Sequence, residues 1–543
     1  MKSTVQEPTA PETAPPAPED LGVPAPSLAG RAALAVGLFV GFYVLALVIA
    51  AGLLLILYLE WRLTGKVNWR IGLFCLGGAV LILWAILPRP EKFTPPGPRL
   101  DPAAQTRLFG LIDDIAAKTG QERPVEVYLV PDVNAGVSQR GGIMGFGGRR
   151  IMVVGLALLQ VLTVSQLRAA LAHEFGHYYG GETKLGPWIY RTREALIRTI
   201  MNLAKHSSWL YKPFVWYWKM FLGVTQSVSR QQEFVADALA AHLAGARTQI
   251  ETLKAVHGGA VAFNVFWAEE LMPVLNAGYR PPITDGFNRF LKGTYVKDAV
   301  KESVAAEIRE GKTDPYDSHP SLQERIAAVE HLPPGEPEPE SDPPAISLLD
   351  NVPDLEVKLL TALASEEDVR ALQSVTWDKV TAQAHLPRWQ QLTREYAPQL
   401  AGITPPMLAD IAPSFGESMT TAQEREELTA AVQTMLGEQP KAEAAATAAT
   451  EAEVSARDIV ANELSSRGLG VLSAAFVTAL ARDGWTCEAP LGEEVSCRRD
   501  GKTLDPVKAI RRLAAGEISP DAWRKQCEEI GIAGLDLGAP ERL

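Results

Sequence analysis

Positive charge is in deficit in this chain. Lys and Arg total 52 against 64 Asp and Glu, which gives a net charge of −12 and a pI near 5.4. A nucleic-acid partner is therefore not expected, because binding phosphates requires a basic surface. No glycine-rich phosphate loop of the P-loop type occurs. Cysteine is scarce: Cys75, Cys487, Cys497 and Cys527 are the only four in 543 residues. That is too few for a disulfide scaffold, and no C-x-x-C pair is present to argue for a zinc knuckle. The start lacks a short apolar core directly behind basic residues, so it does not read as a secretory signal. Residues 1–30 instead hold seven prolines and mostly acidic charge. They bury too little to order themselves and read as a disordered tail.

Apolar sequence follows at once. Ala32 to Tyr58 runs 27 residues without a charge, and Ile71 to Leu87 runs 17. The first is long enough to cross a bilayer with some tilt and the second is at the lower limit. Trp61, Trp69 and Trp84 fall near the ends, where indole rings prefer the interface. Arg62, Lys66 and Arg70 lie between the runs, against Arg31, Arg89, Lys92 and Arg99 outside them, so basic residues do not orient the hairpin.

Leu171-Ala172-His173-Glu174-Phe175-Gly176-His177 contains H-E-x-x-H. On a helix, His173 and His177 leave the same face and can share one metal ion, with Glu174 placed to handle a water. Thr163-Val164-Ser165-Gln166 is a capping-box start and Gly180-Gly181 a stop. Catalytic zinc usually takes three protein ligands and keeps one position open. Glu233 and Asp237, four apart on an alanine-rich segment, are the downstream candidates. One carboxylate can ligate the metal while the other orients a ligating imidazole.

The H-E-F-G-H segment followed by R-Q-Q-E-F-V-A-D (230–237) resembles the membrane-bound zinc metalloproteases that include the heat-shock protease HtpX and the CAAX prenyl endopeptidases. Asp132-Val133-Asn134-Ala135 and the run from Asp317 to Ile326 resemble two further segments of that family, in the same order. The resemblance spans roughly residues 30–330. It implies one zinc ion held by His173, His177 and Glu233, with Asp237 behind them. Glu174 acts as the base. Asn134 and Ala135 lie on a strand edge that aligns substrate, and His319 and Arg325 lie beside the metal to bind the substrate carbonyl or the developing oxyanion. It also implies a catalytic domain on the cytoplasmic side of a bacterial-type inner or plasma membrane.

The expected fold is mainly α with a small β-sheet. An α+β, zincin-like catalytic domain stands behind an N-terminal transmembrane helical hairpin, and extra helical and small α+β domains follow. The boundaries read as hairpin 31–88, metalloprotease 95–331, linker 332–345, helical domain 346–438, linker 439–456 and small α+β domain 457–543. Within the protease region, Leu108 to Lys118 repeats at helical spacing. Val125 to Val130 alternates as a strand and Arg150 to Val154 reads as its return, across a glycine-rich tip at 141–148. Phe214 to Val224, among Trp209, Tyr211, Trp216, Tyr217 and Trp218, reads as an interfacial amphipathic element. Cys487 and Cys497 read as cross-strand neighbours with free thiols. No catalytic constellation follows residue 330, so that part reads as recruiting a protein partner or substrate. The function expected is a membrane zinc endopeptidase acting on membrane or misfolded proteins. The alternatives are a prenyl-protein processing protease and a membrane scaffold with a vestigial metal site.

Overall fold

The computed structural model describes residues 28–87, 93–140, 149–177, 186–206, 210–312, 319–334, 341–438 and 448–539. The proline-rich tail, the glycine-rich tip, the Gly180-Gly181 stop, Trp209 and much of both linkers fall outside these residues. Two compact units are present: residues 1–264 with 299–369, and residues 265–298 with 370–543.

The first unit begins with two apolar helices, α1 (Leu28–Thr64) and α2 (Trp69–Ile86), the hairpin read from the sequence. Their apolar windows have mean hydropathies of 2.8 and 1.9 and suit a bilayer by length. Val40, Val44, Leu47, Val48 and Leu55 point outward and exposed. The Asn68 side chain caps α2 by accepting from the Arg70 N–H at 3.0 Å. The inner faces of the hairpin do not pack only on each other. Phe42, Ala46, Ala79 and Ile82 join Leu196 and Leu203 of α6 (Gly186–His206) and Phe214, Tyr217 and Phe221 of α7 (Lys212–Ala244).

This changes the reading of 214–224. It is the opening of a single 33-residue helix, not a separate interfacial piece. Phe214, Tyr217 and Phe221 repeat at helical spacing and form a stripe that the hairpin buries. The Tyr217 hydroxyl donates to the Leu38 carbonyl at 2.5 Å. It can do so because Gly41 leaves the space, as a Cβ there would stand 2.5 Å from that oxygen. One rigid helix therefore runs from the membrane hairpin to Glu233 and Asp237.

The small sheet has the order β1 (Glu126–Val130), β3 (Arg149–Gly155), β2 (Ala135–Arg140). β1 pairs parallel to β3, with Tyr128 opposite Val153, and β2 pairs antiparallel, with Ala135 opposite Val154. Residues 98–100 cover the outer side of β1: Leu100 N–H donates to the Val127 carbonyl and Leu129 N–H to the Pro98 carbonyl. Among the described residues, no strand pairs with the outer side of β2. α3 (Thr106–Lys118) buries Leu108, Leu111, Ile112 and Ile115, the stripe its spacing predicts.

α5 (Val164–Gly176) carries the histidines. Its capping box forms as read: Thr163 Oγ1 accepts from the Gln166 N–H, and Gln166 Oε1 accepts from the Thr163 N–H. The end of the supposed linker also helps. Asp342 Oδ1 accepts from Ser165 N–H at 2.9 Å and the Pro343 carbonyl from Val164 N–H at 3.0 Å. The free N–H groups of a helix start are thus satisfied by residues far along the chain.

In the second unit, the helix Ala448–Arg482 supplies Val471, Leu472, Phe476 and Leu480 to a core shared with Trp485, Ile510 and Trp523. Ile459–Arg482 is long and apolar enough to cross a membrane, but most of that window is buried in this core. Residues 448–456, read as linker, form the start of this helix. A three-stranded antiparallel sheet (Thr486–Glu488, Ser496–Arg499, Lys502–Leu504) turns at Asp500-Gly501, both with positive φ, as the dipeptide predicts. Cys487 and Cys497 are directly opposed across the first two strands and are joined as a disulfide, which corrects the expectation of thiols. Direct cross-strand pairing brings the two sulfur atoms together whatever the compartment. Residues 265–298 cluster with this unit by contacts. Tyr279–Arg280 pairs with Gln373–Ser374, and Trp377 donates to the Pro282 carbonyl at 2.8 Å.

Candidate metal centre

Two helices must come unusually close for the site to exist. α5 and α7 pack along each other with Gly176 at the crossing. A Cβ on Gly176 would lie 2.6 Å from Ala236 Cα and 2.9 Å from its Cβ. Glycine is therefore what permits the approach, and Ala236 lies between Glu233 and Asp237 on α7.

The approach brings three side chains to one point. His173 Nε2 lies 3.4 Å from Glu233 Oε2, and His177 Nε2 lies 3.6 Å from Glu233 Oε1. Ligands bound to tetrahedral zinc at about 2.0–2.2 Å stand about 3.3–3.6 Å from one another. Glu233 Oε2 is buried and accepts no hydrogen bond. A buried carboxylate oxygen left without a donor, facing imidazole nitrogens at ligand spacing, fits a divalent cation. His173, Glu174 and His177 also offer ligand-capable atoms within 4.8 Å of one another.

Behind this set lies a denser one. Asp237 is fully buried. Its Oδ1 is 2.9 Å from His173 Nδ1 and accepts from Arg325 at 2.7 Å and from Gln249 Nε2 at 2.8 Å. Its Oδ2 accepts from Arg325 Nε at 2.8 Å. A carboxylate on Nδ1 directs the Nε2 lone pair of His173 towards the Glu233 side. Arg325 stands on the Leu322–Val329 helix, started by Ser321, whose hydroxyl accepts from Glu324 N–H. Gln249 stands on α8 (Ala246–Val265), which begins one residue after α7 because Gly245 adopts φ 93°.

The remaining predicted residues take varied positions. His319 Nδ1 lies 3.0 Å from Glu233 Oε1 with most of its ring exposed. Arg325 Nη2 is 3.6 Å from Glu233 Oε2, and its Nε and Nη2 donate to Asp237. Asn134 is exposed just ahead of β2, and its carbonyl accepts from Gly155 N–H at 2.8 Å. Ala135 opens β2, which packs beside α5. Gln249 was missed, since a lone glutamine belongs to no motif and only the fold brings it to Asp237.

Charge among these side chains is shared unevenly. Burial alone would lower the His173 pKa, but Asp237 and then Glu233 carry it up to about 9. Burial pushes His177 down to about 4, with the neighbouring His173 acting the same way. Burial would raise both acidic partners, yet Glu233 is held below its ordinary range by His173 and His319, and Asp237 by Arg325 and His173. Burial lifts Glu174 to about 7, with Glu233 adding to it and His173 opposing. A carboxyl poised near neutrality can both take and give a proton at physiological pH.

Comparison with known proteins points to the same class of protein. Residues 102–332 match the family described as Peptidase family M48. The Protease HtpX of Idiomarina loihiensis is 25% identical over 279 residues, covering 48% of this chain and 84% of that protein. No solved structure matches the chain significantly. The paired imidazoles and buried carboxylate thus fall inside the segment that resembles Peptidase family M48, and that likeness together with the H-E-x-x-H cluster marks a metalloprotease.

Proposed function

We propose that this chain is a membrane-anchored, zinc-dependent endopeptidase that hydrolyses peptide bonds of membrane or misfolded proteins, with a zincin-like catalytic domain on the cytoplasmic side. The observation that supports it most is the spacing of His173 Nε2 from Glu233 Oε2 (3.4 Å) and of His177 Nε2 from Glu233 Oε1 (3.6 Å), with Oε2 buried and accepting no hydrogen bond. These three residues would hold one zinc ion. When bound, the ion supplies Lewis acidity and draws water towards ionisation near neutral pH.

The chain's own groups do the rest. Glu174 takes the proton of the attacking water and hands it to the leaving amine. The outer edge of β2, from Ala135 after Asn134, receives an extended substrate by main-chain hydrogen bonds. Such docking reads backbone more than side chains, which suits varied or misfolded substrates. His319, exposed beside Glu233, would bind a substrate oxygen. Arg325 is assigned to holding Asp237, and through it the His173 ring, because its Nε and Nη2 both donate there. α1 and α2 anchor the chain, and α7 carries that anchoring to Glu233. The second unit recruits a protein partner or substrate.

The test uses full-length protein purified in detergent. One zinc per chain and chelator-sensitive casein cleavage are expected. Glu174→Gln should keep the zinc and lose hydrolysis. A wild-type protein that binds no zinc, or full cleavage by the Gln variant, overturns the reading.

A further inference from the structure

We infer that Gln249 is a positioning residue for the metal centre: from α8 it fixes the Asp237 carboxylate that holds His173. The inference rests on the zinc-site reading above. Its geometry is direct. Gln249 is buried, and its Nε2 donates to Asp237 Oδ1 at 2.8 Å. The same oxygen is 2.9 Å from His173 Nδ1 and 2.7 Å from Arg325. Asp237 is thus held from three helices, by one imidazole, one guanidinium and one amide. The amide donates without adding charge to a cluster that already contains Glu174, Glu233, Asp237, His173 and Arg325.

A second observation shows what the side chain is there for. Gln249 Oε1 is buried and has no hydrogen-bond partner. A buried polar atom without a partner is unfavourable, and an apolar side chain of the same size would avoid it. The position therefore uses the N–H of the amide and tolerates its carbonyl. The opposite amide orientation would set that carbonyl against the Asp237 carboxylate, so the network dictates the assignment. Without the amide, Asp237 can turn on the Arg325 fork and loosen its hold on His173 Nδ1. Partners that orient a ligating histidine typically matter by 10–100-fold in metal affinity.

Two nearly isosteric variants test this in full-length protein. Gln249→Met removes the donor and keeps the volume. Gln249→Glu keeps the shape but sets a second carboxylate against Asp237. Zinc affinity is read by competition with a chromophoric chelator, kcat and KM with a fluorogenic peptide, and folding by the melting of the zinc-free protein. The expected order of zinc affinity is Gln, then Met, then Glu, with Met about 10-fold and Glu up to about 100-fold weaker than wild type. At saturating zinc, kcat should fall while KM holds, because β2 and the substrate edge are untouched. A packing role predicts that both variants bind zinc like wild type, and that result overturns the proposal while the protease reading stands. If wild type itself binds no zinc, the protease reading falls and this inference falls with it. If Gln249→Glu does not fold, the Met variant decides alone.

Discussion

Replacing Gly176 with alanine should open the metal centre without touching a ligand. The added Cβ would lie 2.6 Å from Ala236 Cα and 2.9 Å from Ala236 Cβ. Carbon atoms rest about 3.5–4.0 Å apart. The α5 and α7 backbones must therefore part by about 1 Å at the crossing, since the nearer obstacle is main chain and cannot rotate away. Overpacking of this kind costs about 1–3 kcal/mol. The function suffers more than the fold, because metal ligands must sit within about 0.2 Å of their place, and the helices that part are the ones carrying His173, His177 and Glu233. Zinc affinity is expected to fall at least about 10-fold, equivalent to about 1.4 kcal/mol, with casein cleavage lost in step. Adding Ala236→Gly should restore little, because the main chain at residue 236 still stands 2.6 Å from the new methyl after its own Cβ is gone. Zinc competition and thermal melting on the purified full-length variants measure both effects. Wild-type zinc affinity in Gly176→Ala, or full recovery in the double variant, would refute the argument that helix proximity sets the site.

Three further outcomes follow from the same structure. Glu174→Gln should lower kcat by about 10²–10⁴-fold with zinc content unchanged, the range expected for removing a general base; loss of zinc instead would assign Glu174 to the metal. Asp342→Ala removes an acceptor from the start of α5 and should cost about 1 kcal/mol, read as a lower melting temperature. Glu270, half-buried and accepting from the Gly492 backbone, has its carboxyl raised by burial from 4.5 to about 7, with Glu269 adding to the effect. The folded chain then binds a proton that the unfolded chain lacks between those values, so stability falls as pH rises from about 4.5 to 7 and is flat above. The full interval corresponds to about 3 kcal/mol, and partial solvent access reduces it to about 1–2 kcal/mol. Glu270→Gln should be more stable than wild type at pH 8 and equal at pH 4, in denaturant titrations.

Much of this protein was legible in its residues. The capping box at Thr163, the H-E-x-x-H spacing, the apolar runs and the Asp500-Gly501 turn each act over a few residues. Short-range sterics and hydrogen bonding decide them before any tertiary contact forms. The pairing of Glu233 with Asp237 was visible as a spacing, but the residues alone did not say which of the two lies at 3.4 Å from His173 Nε2 and which on its Nδ1. Other features needed the fold. Gln249 became a partner of Asp237 only when Gly245 turned the chain into α8. Asp342, in a stretch that reads as linker, satisfies the start of the metal helix from far along the chain. Phe214 to Val224 reads as interfacial when its lysine and tryptophans are counted, yet its stripe of Phe214, Tyr217 and Phe221 finds the hairpin and extends one helix to Glu233. Local pattern sets which face of an element is apolar and which groups it can offer. Which surface covers that face, and how near two backbones come, depends on contacts between residues remote in sequence, and those exist only in the folded chain.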